Sequence, residues 1–92
     1  MKSIEVIEIR LAQNLNKVLE KEIGNIMEEI MENELEYTLK LYKKLQLRSD
    51  YMIIIYHSKE LINHKGSELG QQLKVALKDF GMINHTIWGE SQ

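Results

Sequence analysis

Six side chains in this sequence are of types that can bind a small aromatic molecule with a negatively charged oxygen. Tyrosine and tryptophan rings stack on such a molecule, while cationic or amide groups donate hydrogen bonds to its oxyanion. The six are Arg10, Lys40, Tyr42, Tyr56, Asn84 and Trp88. The same residue types also fill the core of a dimer interface that holds no ligand, and the sequence leaves both interpretations open.

The three histidines, His57, His64 and His85, are candidate metal ligands because neutral imidazole binds zinc and copper. No pair has the HxH or HxxxH spacing that brings two rings together locally, so we expect no metal site and no cofactor. His64 remains a candidate for ligand binding. The alternative for His64 is a histidine at the start of a helix that bonds to a nearby carbonyl group.

Composition limits the classes of function that remain. The chain has 92 residues, of which 43% are hydrophobic and 28% charged, and we expect a single domain over residues 1–92. The absence of cysteine excludes disulfides, thiolate nucleophiles and iron–sulfur clusters. A net charge of −2 without a basic aromatic pattern does not favour nucleic acid. No apolar run approaches the length of a membrane span, so we expect no membrane contact and a cytoplasmic protein.

Hydrophobic periodicity predicts six elements. Residues 4–12 alternate as a strand, with a slip of parity between Val6 and Ile7 that indicates either a bulge or a strand that is apolar on both faces. An amphipathic helix follows from Asn14 or Asn16 to about Met31, with Gly24 as a possible site of close approach to the sheet. Residues 35–42 and 51–56 are predicted to form a hairpin.

The second half of the chain repeats the helix and strand. Ser58 is a candidate cap for a short helical segment over residues 59–64. Ser67 is a candidate cap for a second amphipathic helix, which Gly81 is expected to end in a left-handed conformation. Residues 82–88 complete a β-α-β-β-α-β order with a four-stranded antiparallel sheet, a ferredoxin-like α+β fold.

The alternation along the strands predicts a partner. Two helices cover one face of a four-stranded sheet, and the odd-numbered strand residues supply the apolar side chains for that face. The even-numbered face is then both aromatic and polar. It carries Thr38, Lys40, Tyr42, Met52, Ile54, Tyr56 and Trp88. Such a face is typical of a surface that a second subunit, a ligand or both will cover, although a half-exposed face with scattered aromatics is the plainer alternative.

The segment from Tyr37 to Leu73 resembles the dimeric α/β barrel superfamily, and within it the antibiotic-biosynthesis monooxygenase-like proteins. The similarity lies in the strand 37–42, the strand 51–56, Ser58-Lys-Glu-Leu and His64-Lys-Gly-Ser67. The resemblance implies a homodimer that pairs sheet to sheet, and a pocket between sheet and helices for a small aromatic molecule. Members include cofactor-independent oxygenases of aromatic polyketides, heme-degrading enzymes and cyclases.

Two departures from the family pattern narrow the expected function. Tyr56 stands where the family has a tryptophan, and Lys74 stands where heme-degrading relatives place an iron-ligating histidine. Heme degradation is therefore not expected. Three functions remain: a homodimer that binds a small aromatic molecule, a cofactor-independent monooxygenase or cyclase acting on a polyketide-like phenol, and a regulatory ligand-sensing module. The sequence does not decide whether the protein is an enzyme.

Overall fold

The computed structural model of the protein describes residues 2–32, 37–47, 49–58 and 65–91. The elements have the predicted order. They are β1 (Ser3–Leu11), α1 (Asn16–Glu32), β2 (Tyr37–Lys43), β3 (Asp50–His57), α2 (Glu68–Leu77) and β4 (Gly81–Gly89). The helical segment expected over residues 59–64 lies outside the described residues, as does His64. No described helix is long and apolar enough to span a membrane.

The four strands form one antiparallel sheet in the order β2-β3-β1-β4. The predicted hairpin is confirmed, since β2 pairs with β3 from Tyr37 opposite His57 to Lys43 opposite Tyr51. The first strand is central, between β3 and β4. The third strand is also interior, and both interior strands carry apolar residues on both faces of the sheet.

Both helices lie on the face formed by the odd-numbered strand residues, here called the helix face. Leu19 and Ile23 of α1 and Leu73 and Leu77 of α2 are buried there, one helical turn apart in each pair. They pack on odd-numbered residues of the strands. These are Ile7, Ile9, Leu11, Leu39, Tyr51, Ile53 and Ile55. The predicted division of the sheet into two faces is confirmed, and the even-numbered residues form the other face, here called the open face.

The second helix begins where its capping residue predicts. Ser67 has an extended backbone, with φ −81° and ψ 166°, and its side-chain oxygen accepts a hydrogen bond from the Gly70 amide at 3.0 Å. A serine in this conformation satisfies one of the free amide groups of the first turn. The cap therefore fixes the position of Ser67 beside the sheet, which bears on the site described below.

For one local prediction the structure decides between two alternatives, and two others, both about glycines, are corrected. The pairing of β1 with β3 is continuous from Ile4 to Arg10, so there is no bulge at Val6, and the strand is apolar on both faces there. Gly24 does not mark a close approach, since an added Cβ would have nothing within 4 Å. Gly81 does not end α2, because the helix stops at Leu77 with a right-handed cap at Lys78.

Gly81 is instead the first residue of β4 and lacks a positive φ. Its backbone lies against β1 opposite Leu11, and a Cβ at this position would overlap the carbonyl oxygen of Arg10. The glycine is needed for the close approach of two strands and not for a turn.

We expect Gly81→Ala to destabilise the protein by about 1 to 3 kcal/mol, because the methyl group must displace the backbone of β1. Gly24→Ala is the matched control. Its methyl group meets open space within a helix, so it should stabilise the protein by about 0.5 to 1 kcal/mol. Urea denaturation of the two variants measures both changes, and equal effects would contradict this account of Gly81.

Candidate functional site

A carboxylate is buried on the helix face at the start of β1. The Glu5 side chain has no exposed surface, and the residues around it form an apolar core. An unpaired carboxylate buried in such a place would be strongly destabilising, so Glu5 needs hydrogen-bond donors around it. The register of the strands places two of these partners next to Glu5. His57 and His85 lie on the same face of the sheet, one on each neighbouring strand, each two residues along from the residue opposite Glu5.

Four groups donate hydrogen bonds to Glu5, two to each carboxylate oxygen. The Oε1 atom accepts from the Ser67 amide at 2.9 Å and from His85 Nε2 at 2.9 Å. The Oε2 atom accepts from His57 Nε2 at 2.7 Å and from the Ser67 hydroxyl. The carboxylate also sits at the N-terminus of α2, where the helix dipole favours negative charge. We call Glu5, His57, Ser67 and His85 the Glu5 cluster.

The hydrogen bonds decide the charge of Glu5. Burial acts to raise the pKa of the Glu5 carboxyl, but the side chain and amide of Ser67 and the two histidines together outweigh it, so the pKa is lowered. Glu5 is therefore an acceptor, and each histidine places its Nε2 hydrogen toward it.

Two glycines make room for the carboxylate. Gly66 has a φ of 101°, and a Cβ at either Gly66 or Gly70 would overlap Glu5 Oε1. A side chain at Gly66 would also contact the His85 ring, at 2.6 Å from Cε1. The segment Gly66-Ser67 therefore closes over the cluster with its backbone, and the first turn of α2 closes over Glu5 at Gly70.

The open face arranges its side chains in rows across the strands. One row contains Tyr42, Met52, Glu8 and Asn84, the next contains Lys40, Ile54, Val6 and Thr86, and the third contains Thr38, Tyr56, Ile4 and Trp88. Most residues of the two interior strands on this face are apolar, but the exposed Glu8 lies among them, and Tyr42 and Trp88 lie on the edge strands. Trp88 is 58% exposed, and Tyr42 is 40% exposed.

Two tyrosines and a lysine are in contact on this face. The hydroxyl oxygens of Tyr42 and Tyr56 are 3.2 Å apart, and the Lys40 ammonium lies 5.5 Å from the centre of the Tyr56 ring. The hydrogen bond with Tyr42 is the main cause of a raised pKa at Tyr56. Tyr56 therefore stays protonated at neutral pH and is available as a hydrogen-bond donor or a stacking surface.

A first depression, the Arg10 depression, lies at the end of the sheet where β1 finishes. It has a volume of about 480 Å³, and Arg10, Tyr42 and Asn84 contribute to its lining. The Arg10 guanidinium is engaged there by Asp50, with nitrogen to oxygen distances of 3.2 and 3.3 Å. This pair lowers the pKa of Asp50 and leaves Arg10 fewer donors for a ligand.

A second depression, the Trp88 depression, lies at the opposite end, where β1 begins, and has a volume of about 740 Å³. Tyr56 and Trp88 line its open-face side, while Tyr37 and His57 line it from the helix face. Trp88 donates from its indole nitrogen to the Thr86 hydroxyl at 2.9 Å. His57 is therefore part of both the Glu5 cluster and a depression with aromatic walls.

The architecture and the rows of side chains can be compared with known proteins. No protein-family model matches the sequence, and no curated protein matches it significantly. Solved structures do match. A structure from Deinococcus radiodurans named "putative antibiotic biosynthesis monooxygenase" superposes with a TM-score of 0.71 at 13% identity, covering 98% of this chain and 93% of that one. A protein of the same name from Bordetella bronchiseptica gives 0.67 at 8% identity over the full length of both chains.

The chain has the fold of these two proteins. At these identities the similarity concerns the fold alone, and it confirms at that level the resemblance found in residues 37–73. The fold accounts for the order of elements and the sheet, and the activity of this chain has to be argued from its own residues.

The candidate residues that the structure describes occupy the open face of this fold, opposite the helices. The apolar core and the Glu5 cluster lie between sheet and helices, where the resemblance implies a pocket, and the Trp88 depression reaches this side at Tyr37 and His57. The candidate residues also fall into two groups, one at each end of the sheet. Arg10, Tyr42 and Asn84 line one depression, Tyr56 and Trp88 line the other, and Lys40 lies against Tyr56 between them.

Sequence reasoning missed the Glu5 cluster. It treated His57 and His85 as separate, because local spacing does not reveal that β3 and β4 flank β1. One signal was present: Glu5 shares the parity of Ile7, Ile9 and Leu11, so a charge was placed on the buried face. Such a charge must have partners, and histidine and serine are the residue types that supply donors.

The contacts within the Glu5 cluster are hydrogen bonds among its own members. Within the described residues, no three histidine or acidic side chains converge as metal ligands would. Each histidine nitrogen faces a different oxygen of Glu5, and both oxygens are already satisfied by Ser67. Lys74, which occupies the heme-ligand position of the family pattern, lies on α2. The expectation of a protein without metal or cofactor stays a prediction.

We expect the free energy of unfolding to decrease as the pH falls below about 4.5, the ordinary value for a glutamate. The folded protein keeps Glu5 ionised to lower pH than the unfolded chain does, so acid favours the unfolded chain. Glu5→Gln should lower stability at neutral pH by roughly 1.5 to 3 kcal/mol and flatten this dependence.

Glu28→Gln is the control, because Glu28 is an exposed carboxylate on α1, away from the open face. Urea denaturation at a series of pH values compares the variants with the unaltered protein. If Glu5→Gln lost stability in acid as steeply as the unaltered protein, another carboxylate would carry the effect.

Proposed function

We propose that the protein is a homodimer that pairs the open faces of its sheets and binds a small, flat aromatic molecule in the Trp88 depression. The observation that carries the proposal is the exposure of aromatic side chains on a sheet face whose centre is apolar. Trp88 and Tyr42 are exposed, whereas Val6 in the middle row is 8% exposed. An apolar centre with polar and aromatic edges is the composition of a protein interface.

The size of the chain supports a partner. A domain of 92 residues buries only somewhat more than half of the surface that its unfolded chain exposes, so burial in a dimer adds substantially to its stability. Pairing of two open faces would cover Met52 and Ile54 and would close each depression on its exposed side. The depressions would then be cavities of the size that holds a small ligand.

The Trp88 depression suits an aromatic ligand better than the Arg10 depression does. Tyr56 and Trp88 flank Ile4 in one row, so both rings can contact a flat molecule placed over that residue. Lys40 beside Tyr56 supplies a positive charge for an oxyanion. In the Arg10 depression the guanidinium is already paired with Asp50.

A second candidate function is oxygenation of the bound phenol. The two similar structures carry the name "putative antibiotic biosynthesis monooxygenase", which favours this chemistry over other reactions. Oxygen consumption with a phenolic compound, measured without added cofactor, separates the two functions. Ligand binding without oxygen uptake supports a binding protein, and uptake supports an oxygenase.

For the dimer, we expect Ile54→Lys to dissociate it, because an unpaired charge buried in the interface costs several kcal/mol. Val75→Lys should leave it intact, since Val75 is 65% exposed on α2, away from the open face. Sedimentation equilibrium at micromolar concentration measures the mass of each. A single-chain mass for the unaltered protein would refute the homodimer, and an intact Ile54→Lys dimer would place the interface elsewhere.

For the ligand, we expect flat phenolic compounds to quench or shift the emission of Trp88, the sole tryptophan of the chain. Tyr56→Ala should weaken binding by about 1 kcal/mol, because one aromatic contact is lost. Met82→Ala is the control, since Met82 lies on the open face at the other depression. A Trp88 emission typical of fully solvated indole, unaffected by any such compound, would contradict the proposed site.

A further inference from the structure

Four charged side chains lie on the open face within the strands, and two of them have no partner of opposite charge. Arg10 and Asp50 are opposite each other on β1 and β3, and their side chains are joined at 3.2 and 3.3 Å. The other two are Glu8 on β1 and Lys40 on β2, both exposed. Within the part of the chain that the structure describes, neither of these side chains forms an ion pair or a hydrogen bond.

Glu8 and Lys40 do not meet within one chain. Glu8 is opposite Met52 and Lys40 is opposite Ile54, so β3 lies between them and they belong to adjacent rows. The spacing of strands and residues puts their Cα atoms roughly 12 Å apart. The Lys40 ammonium lies 5.5 Å from the centre of the Tyr56 ring, and Tyr56 belongs to the row on the side away from Glu8.

A second subunit on the open face would remove both charges from water, and each would then need a partner. An unpaired charge buried in an interface is strongly destabilising. In a two-fold dimer the same patch of surface occurs on both sides, so when one residue contacts a second, the second contacts the first across the axis. One acid and one base on the same face are therefore the groups from which such a dimer can form two equivalent ion pairs.

The sheet places apolar side chains where this pairing needs them. A two-fold axis that exchanges the positions of Glu8 and Lys40 crosses the face midway between them. The midpoint lies on β3, between Met52 and Ile54. Both residues are apolar and partly buried in the single chain. The two ion pairs would then flank an apolar centre, which is the arrangement of polar and apolar groups found in protein interfaces.

We propose that two copies of this chain pair about an axis over Met52 and Ile54, with Lys40 of each subunit bonded to Glu8 of the partner subunit. The partner of the open face is then selected by charge as well as by shape. The inference rests on the proposed function, because it needs the open faces to pair. An ammonium group has three hydrogens, so this contact leaves donors on Lys40 for the oxyanion of a bound ligand.

The test reverses the two charges one at a time and then together. Glu8→Lys and Lys40→Glu should each weaken the dimer by roughly 100-fold or more, because like charges then meet twice. An equal mixture of the two variants should form a dimer, since both contacts then join opposite charges. The double variant with both substitutions should dimerise as the unaltered protein does. Sedimentation equilibrium measures the mass in every case.

Lys17→Glu and Glu28→Lys are the matched controls, because they change the net charge by the same amounts. Both residues are exposed on α1, away from the open face. Each control variant should dimerise as the unaltered protein does. Dissociation of both controls would assign the effect to net charge and would overturn the proposed pairing.

The other outcomes separate this inference from the proposed function. A single-chain mass for the unaltered protein refutes the homodimer, and this inference with it. A dimer that survives both single reversals overturns the pairing of Glu8 with Lys40 and leaves the homodimer standing. Dissociation in each single variant without recovery in the mixture and in the double variant also overturns the pairing.

A variant that fails to fold does not prevent a decision, because the unaltered protein can be cross-linked. A water-soluble carbodiimide joins a carboxylate to an amine where the two are in contact. An equilibrated mixture of nitrogen-15-labelled and unlabelled protein should yield a Glu8 to Lys40 amide that joins one labelled and one unlabelled peptide, identified by mass spectrometry. A dimer that gives no such product overturns the proposal.

Discussion

The buried carboxylate of Glu5 is the constraint on which the rest of the site depends. It lies on the central strand with no exposed surface, and it is tolerated because four donors saturate its two oxygens. Those donors come from β3, β4 and the residue that caps α2. Burial of this one charge therefore constrains the position of α2, the glycines at its start and the orientation of both histidines.

Much of the fold could be predicted from the sequence because it depends on local periodicity. The alternation of Leu39 and Leu41 with polar residues fixed the faces of β2, and Ser67 marked the start of α2. The Glu5 cluster could not be found in this way, since it depends on which strands are neighbours. Gly81 was misread for a related reason: the contact that requires a glycine is with β1, far away in the chain.

The candidate residues illustrate the same limit. Parity correctly placed Lys40, Tyr56 and Trp88 on one face of the sheet, but it did not reveal their separation along the strands. Register shows that Trp88 shares a row with Tyr56, whereas Asn84 lies two rows away, at the far end of the row that begins with Tyr42. A pattern gives the face of a strand residue, and only pairing gives its neighbours.

The hydrogen bonds of Glu5 connect parts of the chain that are separated by 52, 62 and 80 residues. No fragment that lacks either terminal strand contains both the carboxylate and all of its donors. In a partly assembled chain, burial of Glu5 is destabilising because some of its hydrogen-bond donors are missing. A partly assembled chain that keeps Glu5 in water has not yet packed the sheet against α2. Burial of Glu5 is therefore favourable only when β1, β3, β4 and the start of α2 are all in place. This one side chain makes the folding of these elements cooperative.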